Sequence, residues 1–266
     1  MDSQEDGDLS ALIGKIPYRL ALAGGWMDQP FVSRLNPSPP GSMVVVGVEP
    51  TLRFMDRCGI ATSTREVARK LWNDTLPDRD PRELVRELYA SENHGKPEPS
   101  GSQDMVGLIY PGVSRLDYDF RWEGGLFPAH IESNNDLGVA HWLERVIHIL
   151  PVTQRPEEYS PLGEKNLHPE WIQRLGQSGK QCFDAILAKN IESLGASLNE
   201  CMKCWEALLP HTVRHPAITV DLLGVLGYYQ ARYAGAMYSG CGGGYLYVVS
   251  EDMIPGSFHA KVRLAK

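Results

Sequence analysis

The sequence lacks long apolar runs, an excess of basic charge and an even set of cysteines, and each absence removes a class of function. No stretch reaches the roughly 18 consecutive apolar residues of a membrane-spanning helix, so no membrane partner is expected. Net charge is −7 and the pI about 5.6, which leaves no electrostatic footprint for nucleic acid or an anionic bilayer. Basic residues are scattered rather than gathered in runs. Five cysteines, Cys58, Cys182, Cys201, Cys204 and Cys241, make an odd count, which points to free thiols and a cytoplasmic address. Cys201 and Cys204 form a C-x-x-C inside a helical pattern with no second pair, so they read as small core or surface residues rather than a metal or redox pair. His94, His130, His141 and His148 show no metal-ligand spacing and read as structural. The opening MDSQEDGDLS is acidic and polar, unlike a signal or transit peptide, and reads as a short arm before the first strand.

What is present is ordinary globular material: 266 residues, 42% hydrophobic and 22% charged, enough for one large core or two modest ones. Ile16–Ala23 and Met43–Val48 read as strands, separated by the turn-rich Asn36–Ser42. A helix is expected over about Arg65–Trp72, and another from Pro81 with Asp80 as its N-cap, failing near Gly95. Met105–Ile109 follows a further loop-to-helix junction, and β-like runs surround Leu116–Trp122 and Leu126–Ile131. In the second half, Arg145–Val152 reads as a strand. Helices are expected over Pro169–Leu175, over Gln181–Leu209 with a break near Gly195, and over Ala217–Tyr233. Tyr245–Val249 and Ser257–Leu264 read as strands. The alternation lacks regular βαβ spacing, so α+β is the expected class, with a boundary near residues 136–143.

Four short segments can carry chemistry. Arg19 precedes Gly24-Gly25-Trp26-Met27-Asp28, where paired glycines after a strand place Asp28 on a loop. Its carboxylate can accept hydrogen bonds from sugar hydroxyls, or it is simply a solvated turn residue. Gly59-Ile60-Ala61-Thr62-Ser63-Thr64 opens a helix, whose free N–H groups and dipole make an anion site; a plain Ser/Thr cap is the simpler reading. No Gly-Lys-Ser/Thr follows, so this is not a Walker A loop. Ser100-Gly101-Ser102-Gln103-Asp104 follows Glu92, and two carboxylates on one site can divide metal holding from proton handling. Ser239-Gly240-Cys241-Gly242-Gly243-Gly244 carries a large entropic cost, which either a ligand contact or a tight contact between domains explains.

Taken in order, these segments resemble the GHMP kinase superfamily, and most closely its sugar-kinase branch with heptose-7-phosphate kinase, fucokinase and galactokinase. The branch's R-x-x-x-A-G-G-x-x-D is similar to Arg19–Asp28. Its P-x-x-x-G-L-x-S-S motif matches Gly59-Ile60-Ala61-Thr62-Ser63, with Met55 in place of the proline. G-x-Q-D matches Gly101–Asp104, and S-G-A-G-G-G-G resembles Ser239–Tyr245, with Cys241 for alanine and Tyr245 for the last glycine. Residues 49–58 alone separate Val48 from Gly59, where the family has further strands and a loop that holds the nucleotide base.

The resemblance implies a two-domain α+β fold: an N-terminal domain of the ribosomal protein S5 type over 1–140 and a ferredoxin-like domain over 141–266. It implies ATP and Mg²⁺ as cofactors and a sugar or sugar phosphate as acceptor. Asp104 is then the catalytic carboxylate, with Arg19 offsetting charge beside it. Gly59, Ala61, Thr62, Ser63 and Thr64 hold nucleotide phosphates, and Glu92 with Thr62 or Ser63 holds the metal. Asp28, Gly25, Ser239, Gly240, Gly242 and Gly243 face the acceptor. The rival reading is an inactive sugar- or nucleotide-binding regulatory protein on the same scaffold. A mevalonate-like acid is a further acceptor class, for which Arg53, Arg57 and Arg115 would have to converge.

Overall fold

The computed structural model describes residues 13–265, so the acidic arm expected at the N-terminus lies outside the described residues. Two antiparallel sheets organise the chain. The first is four-stranded, in the order β1 (Tyr18–Ala21), β2 (Gly41–Val48), β3 (Val113–Tyr118) and β4 (His130–Asn134). The second is three-stranded: β5 (Ile147–Thr153), β7 (Gly243–Val249) and β6 (Gly235–Gly240), with β7 in the middle. Every residue of β1, β2 and β7 is buried, as near-continuous apolar runs covered on both faces require.

Between the strands lie α1 (Pro30–Ser33), α2 (Thr62–Leu71), α3 (Pro81–Asn93), α4 (Gln103–Ile109), α5 (Leu137–Val146), α6 (Pro169–Leu187), α7 (Ile191–Leu208) and α8 (Leu222–Gln230). Pro81 opens α3 and the Asp80 carboxylate accepts from the Arg82 amide at 2.8 Å, the cap read from the sequence. The fold is α+β, as expected.

Several element boundaries differ from the sequence reading. The strand expected from Arg145 starts only at Ile147, because α5, which lies between the two sheets in chain order, runs on to Val146 and straight into β5 without a breaking residue. The long helical region breaks at Ala188–Asn190, where the Asn190 side chain caps α7 by accepting from Ser193, and not at Gly195. Gly195 instead lets α7 lie directly on the Ala234–Gly235 backbone: a Cβ there would meet the Ala234 carbonyl at 2.2 Å. The helix expected over 217–233 shortens to α8, which starts where the Asp221 side chain caps it by accepting from the Gly224 amide at 2.9 Å and ends before the turn into β6. The expected final strand is reduced to isolated bridges, Val262 to Val48 and Phe258 to Ile149.

The helical pair α6–α7 ties the halves together. Gly176 and Gly179 bring α6 onto the start of β2, where a Cβ on Gly179 would sit 2.0 Å from the Ser42 carbonyl. One buried apolar cluster therefore runs through both sheets. The C-terminal segment also reaches back. Arg263 donates to the carbonyls of Leu108 and Ile109 at 3.1 and 2.8 Å, satisfying the open end of α4. No described helix is long and apolar enough to cross a membrane.

Candidate active site

The centre of the site is a buried arginine. Arg19, on β1 and 4% exposed, donates through Nη2 to Asp104 Oδ1 and through Nη1 to the Gly59 carbonyl at 3.1 Å. Thr64 adds a hydroxyl 3.3 Å from Asp104 Oδ2. One guanidinium thus joins the loop before α2 to the carboxylate at the start of α4. A single arginine can hold both because its donors are spread in a planar fork.

The room for this arrangement comes from glycines. A Cβ on Gly107, one turn after Asp104, would fall 2.0 Å from Arg19 Cγ, and one on Gly101 would fall 1.7 Å from Asp28 Oδ2. Both positions have been emptied for a charged side chain. Gly107 escaped the sequence reading. Its signal was a helix-interior glycine three residues after the candidate carboxylate, a choice that costs about 1 kcal/mol against alanine and calls for a reason.

Asp28 is brought beside Asp104 but is closed off. It is 2% exposed, Oδ2 is 3.5 Å from the Gln103 amide, and Oδ1 has no partner. Burial, and after it the neighbouring Asp104 charge, push its carboxyl up to about 7. Two carboxylates therefore differ in role by environment: Asp104 is held by Arg19 and a hydroxyl, whereas Asp28 favours its protonated form. Gly25, beside it, is packed by Trp205, whose indole N–H donates to the Gly25 carbonyl at 3.2 Å.

The loop before α2 alternates in handedness. Arg57, Gly59 and Ala61 have φ of 54°, 80° and 54°, and such alternation folds successive amides toward one side. Among the described residues, the amides of Gly59, Ala61, Thr62, Ser63 and Thr64 donate to no backbone carbonyl. Thr62 accepts from the Arg57 amide at 3.3 Å, and Ser63 is exposed. Outside this helix start lies a cavity of about 460 Å³ lined by Tyr18, Arg53, Arg57, Thr62, Ser63 and Arg69, among others. Arg115 stands elsewhere, in ion pairs with Asp117 and Glu132.

The glycine-rich segment is a hairpin turn. Gly240 pairs with Gly243, leaving Cys241 and Gly242 at the tip. Its glycines press on the loop before α2: a Cβ on Gly244 would meet the Cys58 carbonyl at 2.1 Å, and one on Gly59 the Ser239 carbonyl at 2.6 Å. Ser239 is consumed internally, donating to the Cys58 carbonyl and accepting from the Tyr245 amide at 2.9 Å. Of the two readings open from the sequence, the tight contact between the halves is the one these distances describe.

Glu92, near the end of α3, is 3.4 Å from Lys96 Nζ through one oxygen, while the other is buried without a partner. Cys201 and Cys204 are free and buried in α7, and Cys201 Sγ accepts from the Gly24 amide at 3.3 Å. Among the described residues, no group of three or more His, Cys, Asp and Glu side chains is arranged around a metal position.

No family model matches the sequence, and no curated protein matches it either. Solved structures do. Galactokinase from Lactococcus lactis, complexed with galactose, superposes with a TM-score of 0.62 at 12% identity, over 97% of this chain and 97% of that one. The chain has the fold of the GHMP kinases. Mevalonate kinase from L. major in complex with R-mevalonate gives 0.57 at 11% identity, covering 95% of this chain and 96% of that one. The D-glycero-D-manno-heptose 1-phosphate kinase from Bacteroides thetaiotaomicron gives 0.56 at 11%, covering 94% and 96%. Within this GHMP fold, residues 49–61 contain no strand, so the segment between β2 and α2 is as short in the structure as the sequence implies.

Proposed function

We propose that the chain is an ATP-dependent kinase that phosphorylates a hydroxyl of a sugar or sugar phosphate. The observation that carries the reading is the Arg19 bridge, which holds the Asp104 carboxylate against the loop that opens α2. Phosphoryl transfer asks the protein mainly for position and charge. A carboxylate next to unspent helix-start amides supplies both.

The residues present fit a nucleotide triphosphate. The amides of Gly59, Ala61, Thr62, Ser63 and Thr64 are donors without backbone acceptors, and the cavity outside them is lined by Arg53, Arg57, Arg65 and Arg69 together with Asp56 and Glu66. They also fit Mg²⁺, which takes one or two carboxylates together with phosphate oxygens. Glu92 has a buried, unpartnered oxygen, and Thr62, Ser63 and Asp104 offer further oxygen donors. When bound, the cation would offset charge on the nucleotide phosphates.

In this reading Asp104 accepts the proton of the attacking hydroxyl, Thr64 and Arg19 hold its carboxylate in place, and Arg19 offsets negative charge that develops beside it. Asp28, half-protonated near neutrality, can donate to or accept from a neighbouring acceptor hydroxyl once the site opens to it. The hairpin turn fixes the loop before α2 instead of touching the acceptor through Ser239.

A second reading has support of its own. The strandless segment 49–61 leaves less protein to hold a nucleotide base, which favours a binding protein without turnover. Release of ADP from Mg·ATP, followed across free and phosphorylated sugars, separates them. Acceptor-dependent release supports the kinase. Calorimetric sugar binding with no ATP binding and no release overturns it.

A further inference from the structure

The segment after β5 is clamped on both sides of one residue. Gln154 Nε2 donates to the Asp56 carbonyl at 3.0 Å, and Arg57 Nη2 donates to the Pro156 and Glu157 carbonyls at 2.7 and 3.3 Å. These bonds fix Arg155 between them. Arg155 itself donates no hydrogen bond and meets no carboxylate among the described residues, and its Nε is buried with no partner. Arg155 is half-buried, with Nε closed off from solvent, so its Nη groups are the donors left to meet a ligand.

Its surroundings indicate the use. A Cβ on Gly240 would lie 2.7 Å from Arg155 Nη2 and 2.8 Å from Gly59 Cα, so the absence of a side chain there admits the guanidinium at the junction of the two turns. Gly59 opens the loop in which the amides of Gly59, Ala61, Thr62, Ser63 and Thr64 donate to no backbone carbonyl.

We propose that Arg155 is an anion-binding residue that holds a phosphate group over the Gly240–Gly243 turn. Its planar fork matches phosphate oxygens two at a time, and no protein acceptor competes for it. The proposal rests on the kinase reading only for the identity of that phosphate, which is either the group in transfer or one already carried by the acceptor.

The test is calorimetric titration of the full chain with inorganic phosphate, for wild type, R155Q, R155K and the surface control R121Q. The wild type and R121Q should bind equally, R155Q at least tenfold more weakly, and R155K in between. Equal binding by R155Q and wild type overturns the proposal, as does a wild type that binds no phosphate. Should R155Q fail to fold, phenylglyoxal modification of the wild type replaces it. Phosphate should protect Arg155 in peptide mass spectra, and modification at the same rate with and without phosphate overturns the assignment. These readouts need no turnover, so they stand even where the kinase reading fails. With turnover, a KM raised for phosphorylated acceptors alone identifies the acceptor's phosphate. A lowered kcat with free sugars too identifies the transferred group.

Discussion

The loop Arg57–Ala61 and the hairpin turn Gly240–Gly243 lie backbone against backbone, yet they spend their polar atoms in opposite ways. The hairpin is internally satisfied. Gly240 pairs with Gly243, the Gly242 amide bonds to the Thr212 carbonyl at 2.7 Å, and Ser239 closes on Cys58 and Tyr245. The loop before α2 leaves the amides of Gly59 and Ala61 without a backbone acceptor and offers its Gly59 carbonyl to Arg19. Glycine in the hairpin is a matter of close approach; in the other loop it serves a shape that faces outward. The difference teaches that a glycine-rich motif marks where a backbone must come close, and only its unbonded amides say whether the neighbour is a ligand.

If the two regions divide labour in this way, damage to the charged side should stop chemistry and spare the fold. Asp104→Asn should lower turnover by about three orders of magnitude, roughly 4 kcal/mol of barrier. Its melting temperature should stay close to wild type, because the amide still fills the space and accepts from Arg19. ADP release measured beside a thermal melt checks both halves of the statement. Full turnover by the variant removes Asp104 from the mechanism.

Damage to the hairpin side should do the reverse. Gly244 has φ of 88°, and an added Cβ would meet the Cys58 carbonyl at 2.1 Å, with backbone on both sides and no flexible side chain to give way. Gly244→Ala should cost about 3 kcal/mol in a urea titration, from backbone strain and overpacking together. An alanine variant as stable as wild type would mean that the two turns are not in this contact.

Local signals in the sequence were enough for much of this. Asp80 and Pro81 fixed the start of α3, and the apolar runs of β1, β2 and β7 gave those strands. Arg19, Asp28 and Asp104 were named from motif order, and the structure sets the three side by side. What could not be read were consequences of distant pairing. Residues 217–221 and 231–233 carry apolar spacing compatible with helix, but Asp221 caps α8 at its start and the chain turns into β6 soon after Gln230, so the helix is confined to Leu222–Gln230. α5 was hidden because its last turn, Glu144-Arg145-Val146, continues into the β-branched run of β5 with no cap to mark the change. Arg263 and Arg155 matter only through residues far along the chain, and a single sequence holds no trace of that; Gly107 leaves only the mark of a glycine inside a helix.

The mildest way to sharpen the contrast uses Asp28, which belongs to the charged side but lies under the surface. Its ordinary value is 3.8 and the folded value about 7, so the folded state holds a proton that the unfolded chain releases. Below about pH 3 both states are protonated, and the burial costs nothing. As pH rises toward 7 the unfolded chain ionises first, and the folded state loses that stability until Asp28 ionises too. Between about pH 5 and about pH 7.5 the wild type should therefore lose about 2 kcal/mol that Asp28→Asn does not lose. Denaturant midpoints at the two pH values give the difference directly. A pH dependence identical in the two proteins would mean that Asp28 is ionised in the fold, paired with Arg19 as closely as Asp104 is, and the separation of roles between the carboxylates would fall.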